Sequence, residues 1–292
     1  MKFGTVAVNG RSAVALVSPE RDHFWLVEEL VDRAVGGMVD LIEAFDEIKT
    51  KLHPNGSGRS LASSRILAPL APPRNVICVG KNYFDHAREF AKSGFDSSSS
   101  GSADAIPTAP IIFTKAPETV IASGADIRYP HGLSDSIDYE AELGVVIGRG
   151  GRGISKANAP SHVFGYTIIN DVTARDLQRR HKQWFIGKSI DTFCPMGPWV
   201  VTSDEVDPAG LDVKCWVNGE LRQQANTRDL IFDVPTLIET ISAGLTLKPG
   251  DVIATGTPAG VGIGFDPPKY LSVGDEVSIE ISGLGRLSNR VA

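Results

Sequence analysis

The segment of residues 136–147 constrains the fold of this chain more than any other part of its sequence. Acidic side chains at Asp138, Glu140 and Glu142 alternate with uncharged ones, and alternate residues of a β-strand lie on one face of the sheet. Carboxylates on one strand face repel each other, and burying them without partners is very costly. The segment ends in apolar residues 145–147, which indicates a strand that enters the core. A bound cation would remove the cost of burying these acids.

Another acid, Asp171, ends the next apolar run, residues 163–171. Neither run contains His or Cys, so Glu140, Glu142 and Asp171 form an all-oxygen set. Such a set favours Mg²⁺ or Mn²⁺ over zinc. The alternative is a solvated strand face, with Asp171 as the N-cap of a following helix. The pattern alone leaves both interpretations open.

Composition is that of an ordinary globular protein, with 292 residues, 42% of them hydrophobic and 22% charged. No apolar run approaches the ~18 residues of a membrane span, and the N-terminus lacks the apolar core of a signal peptide. Cys78, Cys194 and Cys215 form neither a disulfide framework nor a CxxC site, so we expect buried thiols in a cytoplasmic protein. The net charge of −6 argues against nucleic-acid binding, but a bound cation would still admit an anionic substrate.

Turn and breaker residues divide the chain. The pair Asn9-Gly10 is the strongest short hairpin signal, and a helical period follows over residues 38–52. Breaker residues at 53–58 and several prolines after them place a boundary near residue 70. The sequence therefore predicts a small N-terminal α/β domain, residues 1–70, and a main domain, residues 71–292.

Strand signals dominate the main domain and predict a β-rich α+β fold. They lie at residues 75–79, 111–114, 139–147, 164–170, 199–202, 213–217, 252–254 and 277–281. Helical patterns are fewer, at residues 83–92, 174–183 and 234–243. A Ser/Gly-rich stretch, residues 93–102, follows the first of these helices. This combination predicts either a mobile lid or a surface insertion without a role.

His86 and Glu89 lie three residues apart on the predicted helix, so they share a face. A carboxylate that accepts from one ring nitrogen leaves the other free as a general base. The alternative is a surface pair beside Arg88 and Lys92, and the pattern by itself favours that interpretation.

Lys188 lies between apolar residues and is suited either to bind a carboxylate or carbonyl oxygen, or to occupy an exposed loop. A glycine-rich loop, residues 255–262, follows the strand signal at 252–254. It lacks the Gly-Lys-Ser/Thr of a P-loop. Its main-chain N–H groups could bind an anion, or the loop could be a tight turn only.

Several of these stretches, taken in series, resemble the fumarylacetoacetate hydrolase superfamily, and in particular its bacterial branch of acylpyruvases and 2-hydroxyhepta-2,4-diene-1,7-dioate isomerases. They are residues 82–89, 138–143, 170–176, 187–189, 217–223 and 254–262. The resemblance covers residues 70–292. It implies a mixed β-sandwich roll, a homodimer, and Mg²⁺ or Mn²⁺ held by Glu140, Glu142 and Asp171.

The resemblance also implies roles for side chains. His86 and Glu89 would be the catalytic pair on a lid, and Lys188 would contact the carboxylate or oxo group of the substrate. Four further residues would shape the pocket: Tyr83, Arg175, Gln178 and Thr257. Asp138 is not a ligand in this mapping and is expected behind the site or at the surface. The insertions at residues 93–109 and 264–271 depart from shorter members, so the substrate of any one relative does not transfer directly.

The activity implied is hydrolysis of the C3–C4 bond of a 2,4-dioxo acid (an acylpyruvate or fumarylpyruvate-like compound) to pyruvate and a carboxylic acid, as in aromatic catabolism. Oxaloacetate decarboxylation or tautomerisation, or isomerisation or hydration of an unsaturated 2-oxo acid, would use the same metal site. A module that binds a 2-oxo acid without turning it over is a further alternative. The sequence does not discriminate among these functions.

Overall fold

A computed structural model describes residues 1–54, 56–94 and 105–292. Its strands, in chain order, are β1 Lys2–Val8, β2 Arg11–Val17, β3 His23–Leu26, β4 Arg59–Ser60, β5 Arg65–Leu67, β6 Val76–Gly80, β7 Ile111–Lys115, β8 Val120–Ile121, β9 Ile137–Asp138, β10 Ala141–Ile147, β11 Val163–Asn170, β12 Thr173–Ala174, β13 Cys194–Thr202, β14 Asp212–Val217, β15 Glu220–Asn226, β16 Val252–Ala254, β17 Glu276–Ile281 and β18 Gly285–Arg290. Its α-helices are α1 Val27–Val31, α2 Met38–Ile48, α3 Phe84–Lys92, α4 Arg175–His181, α5 Phe185–Lys188 and α6 Val234–Gly244. None of the helices in the described ranges is long and apolar enough to cross a membrane.

Two sheets form the core. The larger has the order β4-β3-β2-β1-β13-β11-β10-β16-β6-β7, with β5 paired to β1 and β8 paired to β13. The smaller has the order β15-β14-β17-β18. Buried residues of β10, such as Leu143 and Val145, share one apolar cluster with Val213 of β14 and Ile279 of β17. The predicted β-rich sandwich is confirmed.

Strands β10 and β11 lie at the centre of the larger sheet, and every residue of both is buried. Such strands are rich in β-branched residues because both of their faces are covered. On the face opposite the smaller sheet they meet α2. There the ring of Phe164 in β11 contacts Phe45 edge-on, with 5.1 Å between ring centroids.

The N-terminal residues add strands to the same sheet. Asn9 and Gly10 have φ values of 51° and 78°, which the turn of the β1–β2 hairpin requires. Strand β1 pairs with β13, with Phe3 opposite Val200, and so joins the strands of residues 1–70 to the main sheet. The division into two domains at residue 70 stays a prediction.

The prediction of one continuous strand over residues 136–147 was wrong. The chain forms β9, leaves the strand conformation at Tyr139 and Glu140, and then forms β10. Asp138 pairs with Thr173 in a separate two-stranded sheet, β12-β9. At this break the Asp138 carboxylate accepts the N–H of Tyr139 at 2.9 Å and does not join the three other acids.

Helix α3 forms where the pattern predicted it and packs over the end of the larger sheet. Its residues His86, Ala87 and Phe90 are buried, whereas the side chains of Asp85 and Arg88 are exposed. Most of the Ser/Gly-rich stretch at residues 93–102 lies outside the described residues, which stop at 94 and resume at 105. The prediction of a mobile lid in that stretch is therefore not tested.

Candidate active site

Three carboxylates meet at the adjacent ends of β10 and β11. Glu140 and Glu142 lie at the start of β10, and Asp171 directly follows β11, because Ala141 pairs with Asn170 in the ladder. One oxygen from each acid lies within 4.8 Å of the others, and all three side chains are buried. The structure therefore brings together the three acids that the sequence predicted as a metal site.

Two buried lysines hold this triad. Lys188 Nζ lies 2.8 Å from Glu140 Oε2 and 2.8 Å from Asp171 Oδ2. Lys115 Nζ lies 2.6 Å from Asp171 Oδ1, 3.0 Å from the Val172 carbonyl oxygen, and also donates to the carbonyl of Lys188. Sequence reasoning missed Lys115, and the only local signal was its place at the end of the predicted strand at residues 111–114.

The pKa values of the two glutamates in the triad shift in opposite directions. Burial raises the pKa of Glu142 well above its ordinary value, and the nearby charges of Asp171 and Glu140 raise it further. Burial would also raise the pKa of Glu140, but the cations of Lys188 and Arg175 outweigh it and hold that pKa at about 2. Burial alone would lower the pKa of Lys188. The carboxylates of Asp171 and Glu140 outweigh burial and raise that pKa above its ordinary value.

The triad fits a hard divalent cation. Its donors are all carboxylate oxygens, which Mg²⁺ and Mn²⁺ prefer, and they lie close enough together to share one ion. The two lysines bond to Glu140 and Asp171, whereas Glu142 accepts a main-chain N–H, that of Gly256. Glu140, Glu142 and Asp171 are therefore the residues that would hold the ion.

The predicted His–Glu pair is formed on α3. His86 Nδ1 lies 3.2 Å from Glu89 Oε2, and the His86 ring stacks on Phe90 with 6.0 Å between centroids. The other Glu89 oxygen, Oε1, accepts the main-chain N–H of Gly260 at 3.0 Å. His86 is almost fully buried, so the alternative of a surface pair is excluded.

Arg175, the first residue of α4, is fully buried between acids. Its Nε donates to Asp138 Oδ2 at 2.8 Å, and its Nη1 lies 2.7 Å from Glu140 Oε1 and 3.2 Å from Gln178 Oε1. Its guanidinium lies 5.8 Å from the centre of the Phe90 ring. Asp138 is thus fully buried behind Arg175, which excludes the surface position that the sequence left open.

A narrow cavity separates α3 from the triad. Its free volume is about 10 Å³, which is room for about one water molecule. The polar side chains that line it are Lys81, His86, Glu140, Arg175, Gln178, Lys188 and Thr257. Of the predicted pocket residues, Tyr83 is buried beside this set, and its hydroxyl has no partner among the described residues.

The glycine-rich loop binds anions that belong to the protein itself. Its main-chain N–H groups donate to three carboxylates, each from a different part of the site. These bonds run from Gly256 to Glu142 at 2.8 Å, from Gly260 to Glu89 at 3.0 Å, and from Gly262 and Ile263 to Asp138 at 2.6 and 3.0 Å. The loop therefore binds anions, as one of its two alternatives predicted, and the anions are carboxylates of the protein itself.

A mixed β-sandwich with a buried carboxylate cluster beneath a helix that carries a His–Glu pair defines a class of β-rich enzymes with a site for a divalent cation. The model of one family, described as the C-terminal domain of fumarylacetoacetate (FAA) hydrolase, matches residues 75–292. This chain belongs to the fumarylacetoacetate hydrolase family.

Two curated relatives are oxaloacetate tautomerases. Oxaloacetate tautomerase YisK of Bacillus subtilis (strain 168) is 52% identical over 234 residues, which cover 80% of this chain and 74% of that protein. The mitochondrial oxaloacetate tautomerase fahd2 of Xenopus laevis is 42% identical over 251 residues, 85% of this chain and 75% of its own length.

Solved structures of this fold carry other activities. A fumarylacetoacetate hydrolase from Exiguobacterium antarcticum superposes with a TM-score of 0.84 at 42% identity and covers 100% of this chain and 99% of its own. Maleylpyruvate hydrolase from Sphingobium sp. SYK-6, solved with manganese(II) and pyruvate, superposes with a TM-score of 0.81 at 29% identity. The match covers 100% of this chain and 99% of that protein's chain. The family thus includes both tautomerases and hydrolases.

Proposed function

We propose that this protein catalyses the keto–enol tautomerisation of oxaloacetate at a divalent-metal site. The observation that carries the proposal is the position of His86, a buried base held by Glu89 across a narrow cavity from the acid triad. Tautomerisation requires one proton to move between C3 and the C2 oxygen, and a single positioned imidazole is suited to that. Two relatives that are 52% and 42% identical are named as oxaloacetate tautomerases, which supports the same reaction in this protein.

His86 would carry the proton. Its Nδ1 is bonded to Glu89, so Nε2 is the ring nitrogen that takes the proton from C3 of the keto form. As that C–H bond breaks, the electron pair forms the C2–C3 double bond and the C2 oxygen takes up a proton, which gives the enol. The reverse sequence regenerates the ketone. Glu89 fixes the ring orientation and stabilises the imidazolium that forms.

Cationic side chains would hold the substrate. Oxaloacetate is a dianion, and the cavity is lined by Arg175, Lys188 and Lys81, together with the amide of Gln178. Lys188 would bind an oxygen of the 2-oxo acid group and stabilise the negative charge that grows there as C3 loses its proton. Mg²⁺ or Mn²⁺, held by Glu140, Glu142 and Asp171, would supply Lewis-acid polarisation of the 2-oxo group.

The closed cavity limits water. The free space in the cavity has room for about one water molecule, and a site that excludes bulk water protects an enol from side reactions. Substrate entry therefore requires α3 to move away from the triad, since oxaloacetate is larger than this space. In this proposal α3 acts as a lid that closes over the bound acid.

Hydrolysis of an acylpyruvate is the second candidate. It is favoured by the fold similarity to a maleylpyruvate hydrolase and by the same His86–Glu89 pair, which would then deprotonate a water. That water would attack C4, and cleavage of the C3–C4 bond would give pyruvate and a carboxylic acid. In either case we expect a homodimer, as the family resemblance implied, in the cytoplasm, as the unpaired cysteines indicated.

A comparison of two substrates tests the proposal. Enol loss is followed by ultraviolet absorbance for oxaloacetate and for acetylpyruvate, with Mg²⁺ and then with excess chelator. Metal-dependent acceleration with oxaloacetate, without release of pyruvate, is the expected result. Release of pyruvate and acetate from acetylpyruvate, with no effect on oxaloacetate, would replace the tautomerase with the hydrolase. Activity with neither acid would contradict both.

A further inference from the structure

Asp138 is a buried acid that is neither a member of the triad nor part of the His–Glu pair. Its side chain is fully buried, and each of its oxygens accepts two hydrogen bonds. Oδ1 accepts the N–H groups of Tyr139 and Gly262, and Oδ2 accepts those of Ile263 and of Arg175 Nε. Asp138 therefore joins the guanidinium of Arg175 to the loop that also binds Glu89.

Arg175 has one donor group without a partner. Nε and Nη1 are bonded to Asp138, Glu140 and Gln178, whereas the buried Nη2 has no hydrogen-bond partner among the described residues. A buried N–H group without an acceptor is rare in folded proteins and suggests a ligand. Arg175 lines the cavity, so a ligand that binds there would lie beside its guanidinium group.

The substrate of the proposed reaction has a group suited to this donor. If the C1 carboxylate and the ketone of a 2-oxo acid were held at the acid triad, the C4 carboxylate of oxaloacetate would have to be bound elsewhere in a closed cavity. Burial of that carboxylate without a cation would be very costly. Of the two acids that hold the guanidinium, Glu140 is shared with Lys188 and the triad, so Asp138 is the anchor that lies outside the metal site.

We propose that Asp138 is a positioning residue that makes the site selective for dicarboxylic 2-oxo acids, because it fixes Arg175 with Nη2 free for the C4 carboxylate. This inference rests on the proposed function for its choice of substrate. Asp138 itself does not touch the substrate. It acts through Arg175, and the two residues should therefore behave as one unit.

Two ligands that differ only at C4 test the inference. 2-Oxobutanoate has a methyl group where oxaloacetate has a carboxylate. The dissociation constants of both are measured by calorimetry on the Mg²⁺-loaded protein, and selectivity is the ratio of the two constants. The wild type should prefer oxaloacetate by about tenfold or more, the usual range for a buried charge pair. Asp138→Asn keeps the size of the side chain but removes the negative charge that faces Arg175 and replaces one of two acceptor oxygens with an amide donor.

The expected result is that Asp138→Asn brings the ratio near one and changes the constant for 2-oxobutanoate by less than about twofold. Arg175→Gln should also bring the ratio near one, and adding Asp138→Asn to Arg175→Gln should lower the ratio no further. The matched control is Asp251→Asn, a buried acid that binds Arg74 and does not line the cavity. It should keep the wild-type ratio even if its melting temperature falls.

Three outcomes would overturn the inference: a wild type without preference, an Asp138→Asn variant that keeps the preference, or equal weakening of both ligands. The proposed function fails separately. If selectivity is lost in Asp138→Asn but neither the wild type nor the variant tautomerises oxaloacetate, the positioning role stands and the reaction assignment falls. If Asp138→Asn tautomerises oxaloacetate with unchanged kcat/KM, the reaction stands and the positioning role falls.

Discussion

Glu140 is bonded to two cations, Lys188 and Arg175, whereas Glu142 accepts a hydrogen bond from the main chain of Gly256. Replacement of Glu140 therefore removes a candidate metal ligand and also releases both cations. Breaking a buried ion pair by removing one partner leaves an uncompensated charge, which destabilises the site by about 3–5 kcal/mol. A change at Glu140 therefore affects the candidate metal site and its neighbouring cations together.

Glu140→Ala should abolish binding of Mn²⁺ and turnover together, because two acids cannot hold the ion that three were arranged to hold. Calorimetric titration with Mn²⁺ and the enol absorbance assay measure the two properties. Asp251→Asn, the buried acid outside the cavity, is the control and should keep both. Full activity of Glu140→Ala, or of the wild type in excess chelator, would show that the triad does not serve as a metal site.

His86→Gln should lower kcat by about 10²- to 10⁴-fold, which is the usual contribution of a positioned general base. The dissociation constant for Mn²⁺ should not change, because His86 is not among the acids that form the triad. Steady-state kinetics and the Mn²⁺ titration are measured on the same preparation. An unchanged kcat would make His86 a packing residue that stacks on Phe90.

The short 3₁₀ turn Gly262–Gly264 and helix α3 are the elements that set the geometry of the His–Glu pair. A Cβ atom at residue 264 would overlap the Glu89 carboxylate, so glycine is needed there for close approach. The turn also donates to Asp138 through Gly262. One loop thus positions both Glu89 of α3 and the Asp138 that binds Arg175.

Gly264→Ala should displace Glu89 and weaken its bond to His86. We expect kcat to fall by about tenfold or more, as in other cases where a supporting contact shifts a base, while Mn²⁺ affinity stays unchanged. Gly244→Ala, at the end of α6, is the control because an added Cβ there has no atom within 4 Å. Equal kcat values for the two variants would show that Glu89 does not need this turn.

Local patterns predicted most elements and part of the site. The spacing of His86 and Glu89 and the acid that ends β11 were visible because their partners lie nearby in sequence or in a short pattern. The roles of Asp138 and Lys115 were not visible. Asp138 meets Gly262 across 124 positions, and Lys115 meets Asp171 across 56, so only the strand order of the folded sheet brings these pairs together.

At the scale of the whole molecule, three carboxylates are buried at one site. The stability of the protein should therefore depend on what neutralises their charge. In the metal-free protein the pKa of Glu142 is raised above its unfolded value. A raised carboxyl pKa contributes stability that is fully present below the unfolded pKa, about 4.3, and is lost as the pH rises through the folded pKa. A bound divalent cation restores the lost stability because it favours the charged form.

We therefore expect Mg²⁺ or Mn²⁺ to raise the melting temperature more at pH 8 than at pH 5. At a metal concentration about 100 times Kd, binding adds about 2.7 kcal/mol, or several degrees. Thermal melts with and without metal at the two pH values measure the difference. Glu142→Gln should remove the pH dependence of the shift. A metal effect that is larger at pH 5 would mean that Glu142 is not the group that the ion neutralises.

The pairing of β1 with β13 has a consequence for expression of shortened forms of the protein. Without residues 1–70, one edge of β13 would lose its neighbour and would present unpaired N–H and C=O groups along a strand of buried residues such as Val200 and Val201. Such an edge is a template for pairing between molecules and for aggregation. The N-terminal strands thus protect the larger sheet from self-association.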